Sequence, residues 1–168
     1  MGLDITAYRK LKPAENVELD EDGNPVDYDN YFRPGAGMDW SEGAFPGRGE
    51  GIDSDTTYSF EKRHGFRAGS YGGYSEWRNQ LARLAGWDSN NDRYNKDPSE
   101  FEGKPFFELI WFADNEGVIG PIVSAKLLKD FKAYLPAAEQ QDDWFLDRYR
   151  DWMNAFEMAA DGGAVDFH

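Results

Sequence analysis

Between His64 and Gly86 the chain reads His-Gly-Phe-Arg-Ala-Gly-Ser-Tyr-Gly-Gly-Tyr-Ser-Glu-Trp-Arg-Asn-Gln-Leu-Ala-Arg-Leu-Ala-Gly, a strand end, a glycine-rich loop and a helix in immediate succession. Ser75 is placed to cap that helix, because a serine hydroxyl accepts from the free N–H groups of a first turn, and Glu76 follows where the macrodipole favours a carboxylate. Trp77, Leu81, Leu84 and Ala85 recur at helical spacing, and Gly86 offers a left-handed stop. Any fold for this sequence must therefore seat an amphipathic helix directly after a strand.

Strand-like patterning lies mainly before this segment and helical patterning after it. From Met1 to Tyr8, Leu3, Ile5 and Ala7 alternate with polar neighbours, the period of a half-buried strand. Val17 to Tyr28 predicts a hairpin with Asp22-Gly23 at its tip. Residues 31–57 carry Arg33-Pro34-Gly35 and a run of glycines between Gly43 and Gly51. They predict a long surface loop, most glycine-rich over 41–56, with Arg48 as its strong cation. Tyr58 to Ala68 predicts one or two further strands, and Gly86 to Pro98 a polar loop.

Beyond Pro105, the spacing of Phe106, Leu109, Ile110 and Ala113 predicts one helix. Pro121 opens a second, whose buried stripe is Ala125, Leu128, Phe131 and Leu135 and which ends at Pro136. A third runs from about Asp142 to Ala160, with Phe145, Tyr149, Trp152, Met153, Phe156 and Ala160 on one face and Gly162 as its stop. The expectation is a single α+β domain over 1–168, an antiparallel sheet from the N-terminal half packed against helices of the middle and the C-terminal third.

Six Trp, nine Tyr and twelve Phe among 168 residues make ring burial the main source of the core. The absence of cysteine excludes disulfides, thiolate catalysis and sulfur-held zinc. With no apolar run of membrane-spanning length and no leader pattern, the sequence predicts a cytoplasmic protein that does not engage a membrane.

The formal net charge is −14 and is unevenly spread. Residues 1–60 sum to −8 and residues 101–168 to −7, whereas residues 61–100 sum to +1. Direct binding to nucleic acid is disfavoured, since phosphate neutralisation needs clustered Lys and Arg. An acidic exterior keeps a ring-rich protein in solution, and it also suits a basic partner.

Three blocks carry a resemblance: the opening Met-Gly-Leu-Asp-Ile-Thr-Ala-Tyr, the stretch Phe66-Arg67-Ala68-Gly69-Ser70-Tyr71-Gly72-Gly73-Tyr74, and the run Phe112-Ala113-Asp114-Asn115-Glu116-Gly117-Val118-Ile119-Gly120-Pro121. Together they resemble a family of small bacteriophage, prophage and bacterial proteins with no established activity. The resemblance implies a setting, a phage or prophage accessory gene acting in the host cytoplasm, and no mechanism or catalytic residues.

Chemistry is concentrated at the glycine stretch. Backbone N–H groups around Gly69, Gly72 and Gly73, with Ser70 and Ser75, form a candidate anion cradle that Arg63, His64, Arg67 and Arg78 would flank, making phosphate or a nucleotide a candidate ligand. The Walker ending Gly-Lys-Ser/Thr and the dinucleotide glycine spacing are both missing. The same glycines equally fit a tight turn in which Tyr71 and Tyr74 pack, and His64 equally fits a structural role. Asp20 to Asp22 and Asp88 to Asp92 fail the calcium-loop pattern, because glycine is absent from the sixth place in each. Asp114, Glu116 and Glu108 suggest either a hard-metal or acid-base cluster or helix capping, and Trp144, off its helix's stripe, a partner anchor. No cofactor is expected.

Two functions follow as expectations. One is an acidic accessory binding protein that docks on, and inhibits, a host protein with a basic, nucleic-acid-binding surface. The other is a phosphate- or nucleotide-binding protein or enzyme using Gly69 to Gly73. A virion structural component is a third class, and oligomeric state stays open.

Overall fold

The computed structural model describes residues 2–87, 97–112 and 116–168. Strand β1 (Gly2–Arg9) is the centre of the molecule, as its alternation of Leu3, Ile5 and Ala7 anticipates. It pairs antiparallel with β5 (Lys62–Ser70) on one side and with β7 (Ala164–Phe167) on the other, and β7 pairs in turn with β6 (Gly117–Ile119). The sheet order is β5-β1-β7-β6. An antiparallel sheet against helices is the α+β fold expected, but two of its four strands come from the last third of the chain. Both are too short, at three and four residues, to give a periodic signal.

One face of the sheet carries Leu3, Ile5, Ala7, Ala68, Ile119, Val165 and Phe167 into the main core. Three helices cover it: α2 (Tyr71–Leu84), α4 (Pro121–Ala138) and α5 (Asp143–Ala160). Trp152 of α5 is the hub, with ring centroids 5.5 Å from Tyr74, 5.8 Å from Trp77, 5.2 Å from Phe66 and 5.5 Å from Phe167. Rings from helix α2 and two strands thus meet on one indole, each contributing roughly 1.5–3 kcal/mol when fully buried. Tyr149 donates its hydroxyl to the Phe131 carbonyl at 2.6 Å, tying α5 to α4.

The other face is half covered. Tyr8, Val118 and Ala164 pack there with Phe32 and Met38. These last two come from the long excursion between β1 and β5, which holds β2 (Lys12–Pro13), β3 (Tyr31–Phe32), helix α1 (Gly35–Ala44) and β4 (Tyr58–Ser59). The second, small sheet has the order β2-β4-β3.

Several local expectations are corrected. The glycine-rich 31–57 segment is not a continuous loop, because α1 forms within its first half and buries Met38 and Ser41. The 17–28 hairpin reduces to one bridge, Leu19 with Pro25, because the Asp20 carboxylate accepts from Asp22 N at 3.0 Å and Asn24 N at 2.8 Å and closes the turn itself. The helix predicted from Pro105 shrinks to α3 (Phe107–Ile110), entered through Phe106 at φ +60°. Helix α4 starts at Pro121 as predicted but runs through Pro136 to Ala138, and its buried residues are Ser124, Leu127, Phe131 and Ala138, with Ala125 exposed. Helix α5 matches its prediction, capped by the Asp142 side chain, which accepts from Phe145 N at 3.0 Å. The loop predicted over 86–98 lies largely outside the described residues.

Candidate functional site

The glycine stretch is a bulge followed by a helix start. In the β1–β5 ladder Leu3 faces Gly69 and Asp4 faces Arg67, so Ala68 is the extra residue. Gly69 takes φ +116°, which an L side chain rarely adopts. Helix α2 then begins at Tyr71, five residues earlier than predicted. Its cap is Ser70, whose hydroxyl accepts from Gly73 N at 3.0 Å, and not Ser75, which lies inside the helix. Gly72 and Gly73 are helical residues of the first turn, so the N–H groups of Tyr71 and Gly72 are the ones left without an intrahelical acceptor.

The cations that would flank an anion there are dispersed. Arg63 lies seven residues before Ser70 on the same strand, about 23 Å away at 3.3 Å per residue. Its guanidinium donates to Asp29 at 2.6 Å and to the Tyr28 carbonyl at 2.9 Å. His64 is exposed, opposite Ala7 on the helix-facing side, where its charge acts on Asp151 of α5. Arg67 is exposed, opposite Asp4 on the other side, its guanidinium folded against Gly2. Arg78 is in the core: its guanidinium lies 4.5 Å over the Tyr74 ring and donates to the carbonyls of Ile110, at 3.4 Å, and Phe112. The fold thus brings Arg67, Gly69, Ser70, Gly72 and Gly73 into one neighbourhood and leaves Arg63, His64 and Arg78 out of it.

Arg48, the expected cation of a surface loop, is also buried. It donates to the carbonyls of Glu108 and Trp111, both at 3.1 Å, and burial holds its pKa below the usual arginine value. Glu108 is engaged as well, meeting Lys126 at 2.7 Å, while Asp114 lies outside the described residues. Among the described residues no group of three His, Asp or Glu is arranged to hold a metal ion, and no helix is long and apolar enough to cross a membrane. Trp144 is exposed as expected, with the Arg148 guanidinium 4.7 Å above its ring.

Two features escaped the sequence. The first is an arm, residues 15–30, that leaves β2 and returns at β3. It holds Glu15, Glu18, Asp20, Glu21, Asp22, Asp27 and Asp29 and not one Lys or Arg. Arg33 fastens it by donating to the Gly23 carbonyl at 2.9 Å, and Arg63 fastens it through Tyr28 and Asp29. Asp29 is the one arm carboxylate in an ion pair among the described residues. The arm also exposes large apolar side chains, Leu19 at 40%, Val26 at 51% and Tyr28 at 70%, an unusual cost for a segment already fully hydrated by its acids. Seven acids within fifteen residues are visible in the sequence, but a hairpin expectation does not show that the segment stands out as an arm.

The second is the open end of the outer sheet face. Thr6 and Val118 both face Asp166 across the ladders, and the Thr6 hydroxyl meets the His168 ring nitrogen at 2.9 Å. Burial, with the Glu116 charge beside it, pushes the Asp166 carboxyl up to about 7. A carboxylic acid that titrates near neutrality can both give and take a proton. The signal in the sequence was one polar residue in the run Ala164-Val165-Asp166-Phe167, too short to read.

Comparison with protein-family models, with curated proteins and with solved structures finds no match.

Proposed function

We propose that this protein is an acidic accessory factor that docks on a protein with a basic, nucleic-acid-binding surface and blocks that surface. The observation that carries this reading is the 15–30 arm: seven carboxylates, no cation, and Leu19, Val26 and Tyr28 presented among them. Carboxylates alone would attract any cation; three apolar side chains between them supply the desolvated contacts that give a protein complex its lifetime. The remaining cations support the same reading. Arg48 and Arg78 are internal, and Arg9, Lys10, Arg33, Arg63, Arg83, Lys126, Lys132 and Arg150 each meet a carboxylate, so the excess acid dominates the exterior. The resemblance to phage and prophage proteins supports a host protein as the partner and the host cytoplasm as the place.

The test is capture of bacterial host proteins on immobilised protein, followed by kinetics with the purified partner. Association should slow steeply between 50 and 500 mM salt, duplex DNA should compete, and the E15Q/E18Q/E21Q/D22N variant should associate about tenfold more slowly. An on-rate that is flat with salt and unchanged in the variant overturns the proposal. The phosphate reading loses its three best-placed helpers, since Ser70 occupies the Gly73 N–H, Arg78 is internal and Arg63 is bound to the arm.

A further inference from the structure

Strand β5 is the outer strand of the main sheet and, at nine residues, its longest. One of its edges is bonded to β1 along Lys62–Ser70. Among the described residues no other segment donates to, or accepts from, the opposite edge, so alternate N–H and C=O groups of 62–67 face outward. Natural sheets usually blunt so long an edge, by shortening it, covering it or placing charges and proline on it. Here there is no proline, and the bulge at Ala68 comes only at the far end.

Charge does the discriminating. From Lys62 to Ser75 the chain holds Lys62, Arg63, His64 and Arg67 and no acid, in a protein otherwise rich in acids. Two copies joined along this edge would bring both sets of cations together, and like charges across a ladder oppose pairing. An acidic strand meets the opposite situation. The pleat sorts the residues further: Arg63, Gly65 and Arg67 lie on the outer face, whereas Lys62, His64 and the partly buried Phe66 lie on the helix-facing side. A strand laid beside β5 therefore finds arginines on one face and a phenylalanine ring on the other. Before Lys62 lies a groove of about 290 Å³ lined by Lys10, Lys12, Ser59, Phe60 and Glu61, in which Glu61 pairs with Lys10 at 3.2 Å and Lys12 is the remaining cation. At 0.15 M ionic strength charges beyond about 8 Å are screened, so the field at the edge is set locally: Asp29 offsets Arg63, and Lys62 and Arg67 are left to favour an acidic strand over the net −14.

We infer that the free edge of β5 is a strand-addition site for an extended peptide that alternates acidic with aliphatic residues, its carboxylates toward Arg67 on the outer face and its aliphatic side chains beside Phe66. Arg63 of this strand also fastens the 15–30 arm through Tyr28 and Asp29, but the strand-addition site does not depend on the function proposed for the arm. Main-chain hydrogen bonds would supply the affinity and the alternation the specificity.

The experiment uses the whole protein and three nine-residue peptides: one alternating Glu and Val, one alternating Lys and Val, and the Glu-Val peptide with proline at its centre. Amide hydrogen exchange is followed residue by residue. The Glu-Val peptide is expected to slow exchange of the outward amides of 62–67, while the other two bind at least about tenfold more weakly. In the K62E/R67E variant, whose helical-core exchange verifies folding, the preference should pass to the Lys-Val peptide. Absence of protection in β5 with the Glu-Val peptide overturns the inference. So does equal binding of the proline-interrupted peptide, which would reduce the contact to charge alone.

Discussion

Arg48 and Arg78 both grip the same five-residue stretch, Glu108 to Phe112. Arg48 donates to the carbonyls of Glu108 and Trp111, Arg78 to those of Ile110 and Phe112. These are carbonyls that a continuing α3 would have used for its own ladder, so the two guanidinium groups end the helix as well as anchor it. Replacing Arg78 with Met should lower stability by roughly 2–4 kcal/mol, since buried carbonyls lose a charged donor. Arg48→Lys should cost roughly 1–3 kcal/mol, because an ammonium cannot reproduce the two-pronged geometry. The double variant should fall short of the sum, as both act on one segment. Urea unfolding of the four proteins checks this, and strict additivity would refute the shared role.

The start of α2 makes a smaller, cleaner prediction. Ser70→Ala should cost roughly 1 kcal/mol and Ser70→Asp should recover most of it, because either oxygen accepts from the Gly73 N–H. Thermal melts of both variants decide between Ser70 and any later residue as the cap.

Asp166 makes stability depend on pH with a definite sign. Its carboxyl titrates at about 7 when folded, against the ordinary 3.8. Between those values the folded state keeps a proton that the unfolded state has released, so its contribution is full below about pH 4, declines as pH rises and is gone above about 7. The acids near it, Glu116 above all, add to the effect at the high-pH end. Asp166→Asn should therefore raise Tm by about 2–4 °C or more at pH 8 relative to the parent, with a smaller gain at pH 5. A gain that is equal at both values would remove Asp166 as the cause.

Gly163 has no room for a side chain. A β-carbon there would run into the carbonyl oxygen of Tyr8, in backbone that cannot step aside without breaking the β1–β7 ladder. Gly163→Ala is expected to yield little folded protein, while Gly72→Ala, at a position with nothing within 4 Å, should fold normally. Soluble yield and far-ultraviolet dichroism distinguish them.

The long, periodic elements were legible in the sequence because burial of one face writes itself into residue spacing: β1, α5 and the body of α2 all lie where the apolar period puts them. What escaped had a different cause in each instance. Helix α1 has too many glycines for its propensity to show and forms because Met38 and Ser41 reach the sheet. Strands β6 and β7 are shorter than any period. At the glycine stretch, two candidate caps lie five residues apart, and the choice of Ser70 over Ser75 is made by the β5 register, which delivers Ser70 in extended backbone at the end of the strand. The candidate site residues Arg63 and Arg78 were near the loop in sequence only: an extended strand carries the first away, and helical rotation turns the second inward.

The pairing of β1 with β7 sets the order of events when this chain is made. Ile5 to Tyr8 find half of their backbone partners in Ala164 to Phe167, so this strand waits for one that is synthesised much later. Until then Leu3, Ile5 and Ala7 have no finished sheet to join, and β6, whose partner is β7, has none at all. Such long-range closure makes folding slow. A ribosome stalled short of Ala164 thus leaves a chain that holds its helices and strands apart, with its aromatic core open to the chaperones and proteases that survey such intermediates.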